Sequence, residues 1–210
     1  MSLIAVIVSR ARVAVSSTLW IRVATIAWLG AASAGLFVLL TYENAPGAAA
    51  NAPARWPEAS VLVHTAGRPT LLLLAHPQCS CTPASLAELA EVLARAHTRP
   101  RTYVLFIKPQ GFSNEWVTSD LWKTAAAIPG VTLVRDEDGQ EARRFGSATS
   151  GQTLLYDSTG VLRFSGGITG SRSHSGDNAG RQSLVALLSG AEPTRTATSV
   201  FGCPLFASGL

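Results

Sequence analysis

The uncharged run VATIAWLGAASAGLFVLLT, from Val23 to Thr41, constrains this chain more than any other feature. A helix of roughly 20 apolar residues crosses the hydrocarbon core of a bilayer. Trp20 and Tyr42 flank the run as interfacial aromatics. Arg10, Arg12 and Arg22 precede it, and Glu43 is the first charge after it. The positive-inside bias therefore predicts a cytoplasmic N-terminus and an extracytoplasmic, periplasmic remainder. A cleaved signal peptide is the rival reading, since Ala48, Ala49, Ala50, Ala52 and Ala54 offer small-residue cleavage sites. The long basic segment before the run, and a run longer than a signal core, favour a retained anchor. A buried globular helix is the third reading.

This divides the 210 residues into a cytoplasmic segment (1–22), a transmembrane anchor (23–42), an Ala- and Pro-rich linker (43–57), a domain (58–189) and a C-terminal tail (190–210) carrying Cys203. The domain has the usual size for one hydrophobic core. The net charge of +4 owes something to arginines before the apolar run, and no basic stripe interleaved with aromatics follows, which argues against a nucleic-acid partner.

Within the domain, Ser60–Thr65 reads as a short β-branched strand and Thr70–Ala75 (TLLLLA) as a buried one. Leu86, Leu89, Ala90 and Leu93 recur at helical spacing, with Thr82 as N-cap, Pro83 at the first helical position and an end near His97. Arg101–Lys108 reads as a strand, Ser119–Ile128 as a helix stopped by Pro129 and Gly130, and Val131–Val134 as a third buried strand. Such alternation implies parallel pairing. Gln152–Tyr156 and Val161–Phe164 flank a DSTG turn and predict an antiparallel hairpin. A helix from Ala179 to Leu188 closes the unit, capped by Asp177 or Asn178. The expected fold is α/β, a central mixed sheet with helices on both faces, plus the membrane helix.

Cys79 and Cys81 fall between a buried strand and a helix start. A thiolate there meets unpaired N–H groups and the positive end of the helix dipole, which lower its pKa and raise its reactivity. A disulfide between residues two apart is feasible but strained, and a strained disulfide is easily reduced. A purely structural bridge is the alternative. Cys203, the odd cysteine in SVFGCPLF, calls for a partner: it is a candidate resolving cysteine, a metal ligand, an intermolecular bridge or an idle thiol. Phe201 and Phe206 suggest that its segment packs on the domain.

The stretches LLLLAHPQCSCTPASLAEL and RRFGSATSGQTLLYDSTGVLRFSGG together resemble the thioredoxin-like superfamily, in particular its membrane-anchored TlpA and ResA type, including the group labelled RedB. The resemblance spans roughly Ser60 to Leu188. It implies a thioredoxin-like fold, thiol-disulfide exchange by Cys79 and Cys81, and protein thiols or disulfides of the cell envelope as partners; Cys203, outside the span of the resemblance, is a third catalytic candidate as the odd cysteine. Two departures stand out. The pair is Cys79-Ser80-Cys81, one residue short of the usual spacing, and Gly151 stands where the family carries a cis-proline beside which a partner chain docks.

The run CSCTPASLAEL also resembles the copper-handling Sco type, in which two cysteines at this helix head join a distant histidine. His76 and His174 are the candidate imidazole ligands beside Cys79 and Cys81, a donor set that suits copper. No other cofactor is expected. A non-catalytic interaction domain is the third functional reading. Finally, GGITGSRSHSGDNAG (166–180) is longer than a connection needs, and Arg172 within it is a candidate support for a thiolate or a substrate carboxylate.

Overall fold

A computed structural model describes the backbone of residues 3–206 and the side chains of residues 17–206. The chain forms two compact units, one ending at Glu43 and one beginning at Asn44. The first is a single helix, α1 (Leu3–Glu43). Its stretch Ser17–Glu43, 27 residues containing an 18-residue window of mean hydropathy 2.0, is long and apolar enough to cross a membrane, with every side chain exposed. Arg10 and Arg12, two of the arginines behind the expected orientation, lie outside the described side chains.

The second unit is built on a five-stranded sheet. Its strands are β1 (Thr70–Ala75), β2 (Arg101–Lys108), β3 (Val131–Glu137), β4 (Thr153–Tyr156) and β5 (Leu162–Gly166). They lie in the order β3-β2-β1-β4-β5. The first three are parallel, and β4 joins β1 antiparallel and forms the antiparallel hairpin with β5. β1 is central because every one of its residues is apolar or Thr, a composition that tolerates neighbours on both edges and packing on both faces. Alternation sends Leu71, Leu73 and Ala75 into one core and Leu72 and Leu74 into the other. At about 1.5–3 kcal/mol per buried leucine, this strand anchors both layers.

One layer is made by α2 (Thr82–Arg95), α4 (Asp120–Ala126) and α6 (Ala179–Leu188), whose apolar faces meet Leu73, Phe106 and Phe164. The other contains α5 (Gln140–Arg144), Phe145, Tyr156 and Trp56, with Leu205 and Phe206 of the tail. A short α3 (Asn114–Val117) precedes α4.

Four expectations are corrected. Ser60–Thr65 is not a strand. Its Val61 and Val63 face solvent and only Leu62 is buried, while Ser60 Oγ and the Val61 N–H bond to the Glu141 carboxylate in place of a neighbouring strand. The helix expected over Ser119–Ile128 is shorter, with Ser119 at its N-cap position, and the strand expected over Val131–Val134 runs on to Glu137. The N-cap position of α2 belongs to Cys81, and Thr82 is the first helical residue.

The Ala- and Pro-rich segment read as a linker lies bonded along the domain. Gly47 N–H donates to Val200 O (2.8 Å), Asn51 N–H to Gly146 O (2.8 Å) and Trp56 N–H to Gly160 O (2.8 Å), and Tyr156 Oη donates to Pro53 O (3.0 Å).

Candidate active site at the head of α2

β1 ends at Ala75, and the chain turns through His76-Pro77-Gln78 into the cysteines. Cys79 N–H donates to His76 O (3.1 Å) and Thr82 N–H to Cys79 O (3.1 Å), two tight turns that bring Cys79 to the start of α2. The Ser85 N–H then reaches Cys81 O (3.3 Å) as the helix begins. No side chain caps α2, so the first turn retains N–H groups directed toward the cysteines. Thr82, expected as the cap, sets its Oγ1 3.3 Å from His76 O and 3.2 Å from Ser150 Oγ. It ties the cysteine turn to the loop before β4.

That loop contains Ser150 and Gly151. Ser150 Oγ accepts the His76 N–H (3.0 Å) and also bonds the Cys79 thiol. Gly151, at the expected cis-proline position, has φ +89° and donates its N–H to Leu74 O (2.7 Å). Among the described residues no peptide bond is cis. A left-handed residue here lets the chain turn from Ser150 into β4 beside β1, a conformation glycine adopts without strain.

The tail completes the site. Residues 203–205 run antiparallel to the 148–150 loop: Ser150 N–H donates to Cys203 O (2.8 Å), Leu205 N–H donates to Ala148 O (2.8 Å), and Thr149 bridges Pro204. Buried Val200 and Leu205 anchor it on either side of the cysteine. Gly202 packs so closely on Ser150 that a Cβ there would overlap the Ser150 carbonyl. The result sets the Cys203 N–H 3.3 Å from Cys79 Sγ. The three cysteines are free thiols, Cys79 and Cys81 buried (1% and 4% exposed) and Cys203 partly exposed.

Burial by itself raises the Cys79 pKa. The Cys203 thiol and N–H, the Cys81 N–H and the Ser150 hydroxyl all donate toward its sulfur and outweigh that cost, so the net shift is downward. Cys203 moves the other way, pushed up to about 12 by burial, then by its hydrogen bond to Cys79 and the negative charge of Cys79 and Cys81; Arg172 opposes the rise. The site thus favours ionisation of Cys79 and opposes ionisation of its neighbour Cys203.

The remaining candidates separate. Arg172 Nη1 donates to Gly202 O (2.8 Å), supporting the tail. His76 Nδ1 accepts the Gln78 N–H (3.1 Å), its ring lies edge-on to Trp116, and burial lowers its pKa. His174 is exposed, in a turn closed by Ser171. Among the described residues no three His, Cys, Asp or Glu side chains form a group able to hold a metal ion. Sequence reasoning passed over Ser150 and Ser173. Ser173 Oγ lies 3.1 Å from Ser80 O and 3.6 Å from Cys81 Sγ. Only Ser150 carried a signal, its place beside Gly151.

Asn178 caps α6, accepting the Arg181 N–H (2.8 Å), and a buried cluster holds the 166–180 loop. Glu88 of α2 accepts from Gly176 N–H (2.7 Å), Asn178 Nδ2 (3.2 Å) and Arg181 Nη1 (2.8 Å). This fixes the loop that carries Arg172 and Ser173.

No family model matches the chain, and no curated protein matches it. Among solved structures, an uncharacterized conserved protein from Geobacillus kaustophilus is similar with TM-score 0.55 at 14% identity, over 79% of this chain and 94% of that one. A hypothetical protein from Sinorhizobium meliloti 1021 is similar with TM-score 0.53 at 16% identity, over 78% of this chain and all (100%) of the other. A secreted Mycobacterium tuberculosis disulfide oxidoreductase matches 46% of this chain and 67% of its own, with TM-score 0.37 at 16% identity. The fold is thioredoxin-like. The mixed sheet, the antiparallel hairpin after a parallel core and the cysteines between β1 and α2 are what the sequence reading expected.

Proposed function

We propose that this protein is a membrane-anchored thiol-disulfide oxidoreductase of the TlpA and ResA kind, acting on protein thiols or disulfides of the cell envelope. The observation that supports it best is the set of donors converging on Cys79 at the head of α2, which depresses the pKa of a thiol beside two others. The Cys79 thiolate attacks one sulfur of a partner disulfide. The partner's other sulfur leaves as a thiolate and takes a proton, and a mixed disulfide remains on Cys79. A second cysteine of this chain then attacks Cys79 Sγ and releases the partner as a thiol. The anchor holds the domain at the membrane face where such partners are met. Copper delivery has less support, because the histidines it would need do not converge with the cysteines.

The test is insulin reduction by the detergent-solubilised full chain with dithiothreitol as electron source. Wild type should accelerate it and Cys79→Ser should return it to background. Equal rates for the two, with copper retained stoichiometrically by the wild type, would transfer the protein to the metal-handling class.

A further inference from the structure

Two cysteines compete to be the partner of Cys79, and they approach it differently. Cys81 reaches the Cys79 sulfur only with its backbone N–H, while its own sulfur accepts from Ser173 Oγ at 3.6 Å. Cys203 reaches it with its N–H, at 3.3 Å, and also with its thiol. The tail bearing Cys203 is bonded to the backbone of Ala148 and Ser150 as an antiparallel strand, the manner in which an extended partner chain would bind that edge. Cys79 and Cys81 are buried, and Cys203 is the one partly exposed cysteine of the three.

We infer that Cys203 is the resolving cysteine, that the disulfide formed in turnover joins Cys79 to Cys203, and that the tail and the partner chain take turns on the Ala148–Ser150 edge. This rests on the oxidoreductase reading above and specifies its second step. The tail lifts, a partner disulfide R–S–S–R′ reaches Cys79, and the Cys79 sulfur bonds to the sulfur carrying R as the S–S bond breaks and R′–S⁻ leaves and takes a proton. The tail then returns to Ser150 N–H and Ala148 O, displacing the partner strand from the same groups. Cys203 loses its proton to solvent, its sulfur attacks Cys79 Sγ, and R leaves as a thiol. Two electrons pass from Cys79 and Cys203 to the partner, and its two sulfurs gain the two protons. Loss of the Cys79 negative charge in the mixed disulfide removes two of the causes that hold the proton on Cys203, so the resolving thiol becomes easier to ionise when it is needed.

The experiment uses the reduced full chain in detergent, glutathione disulfide as the probe, and non-reducing peptide mass mapping with released glutathione counted. Wild type and Cys81→Ser should each release two glutathiones per chain and yield a Cys79–Cys203 linked peptide. Cys203→Ser should accumulate glutathione on Cys79 or resolve it far more slowly than Cys81→Ser does. A dominant Cys79–Cys81 bridge in wild type, or undiminished release of the second glutathione by Cys203→Ser, overturns the assignment of Cys203 and leaves the oxidoreductase reading standing. An inert Cys79 in all three proteins overturns that reading and this proposal with it.

Discussion

The backbone N–H of Cys203 lies 3.3 Å from the sulfur of Cys79, a residue 124 positions earlier in the chain. Together with the Cys203 thiol it stabilises the charged form of Cys79, so removal of the thiol has a definite sign. In wild type the pH midpoint for alkylation of Cys79 should fall below the value of about 8.5 for an unperturbed cysteine. Cys203→Ala deletes a donor to the thiolate, and its midpoint should move upward. A midpoint that stays put or falls in Cys203→Ala would show that the tail does not tune Cys79.

Gly202 provides a way to lift the tail without touching a cysteine. A valine there cannot coexist with the Ser150 carbonyl, so the strand must leave the edge it occupies. Gly202→Val should speed iodoacetamide labelling of Cys79 by more than about tenfold, the factor equal to about 1.4 kcal/mol of lost docking. Far-UV circular dichroism should be unchanged. Labelling at the wild-type rate would mean the tail does not cover the thiol.

Glu88 and Arg181 are both buried and paired across α2 and α6. Glu88→Leu removes the buried carboxylate and leaves the guanidinium only its ion pair with the exposed Asp177, so the loss should approach, without exceeding, the cost of about 3–5 kcal/mol for removing one partner of a buried pair. The denaturant midpoint should fall accordingly. The double variant Glu88→Leu with Arg181→Met should recover much of the loss. Failure of the double variant to recover would show that the Gly176 and Asn178 contacts, not the ion pair, carry the effect.

How far the sequence reveals this molecule differs from part to part for physical reasons. β1, β2 and α6 were readable because apolar runs and helical spacing reflect burial directly: TLLLLA has no other place than the middle of a sheet. α5 was missed because five residues are too few to show helical spacing and its start depends on a carboxylate at the end of the preceding strand, Asp136, which accepts the Glu141 and Ala142 N–H groups at 2.8 Å each. Ser60–Thr65 misled because β-branched composition cannot tell a strand from an extended segment that bonds to side chains. At the site, Cys79 and Cys81 announced themselves by position, and the apolar residues around Cys203 implied that its segment would pack. Ser150 and Ser173 act through close approaches between segments far apart in sequence, which local pattern does not record, and Gly202, legible beside Pro204 as a turn residue, owes its tight fit to the distant Ser150 carbonyl.

The N-terminal helix yields a topological expectation. The intact chain should remain with membranes through alkaline carbonate extraction, and a reporter joined to its C-terminus should lie outside the cytoplasm. Release of a shortened chain would identify the apolar run as a cleaved leader, and a cytoplasmic reporter would reverse the orientation.

The central claim is that Cys79 is the attacking thiol, and a chain that keeps only this cysteine tests it most directly. With Cys81→Ser and Cys203→Ser combined, glutathione disulfide should convert Cys79 to a mixed disulfide and release one glutathione per chain. A chain keeping only Cys81 should react far more slowly at the same pH. Faster reaction in the chain that keeps only Cys81, or no mixed disulfide on Cys79, would contradict the account.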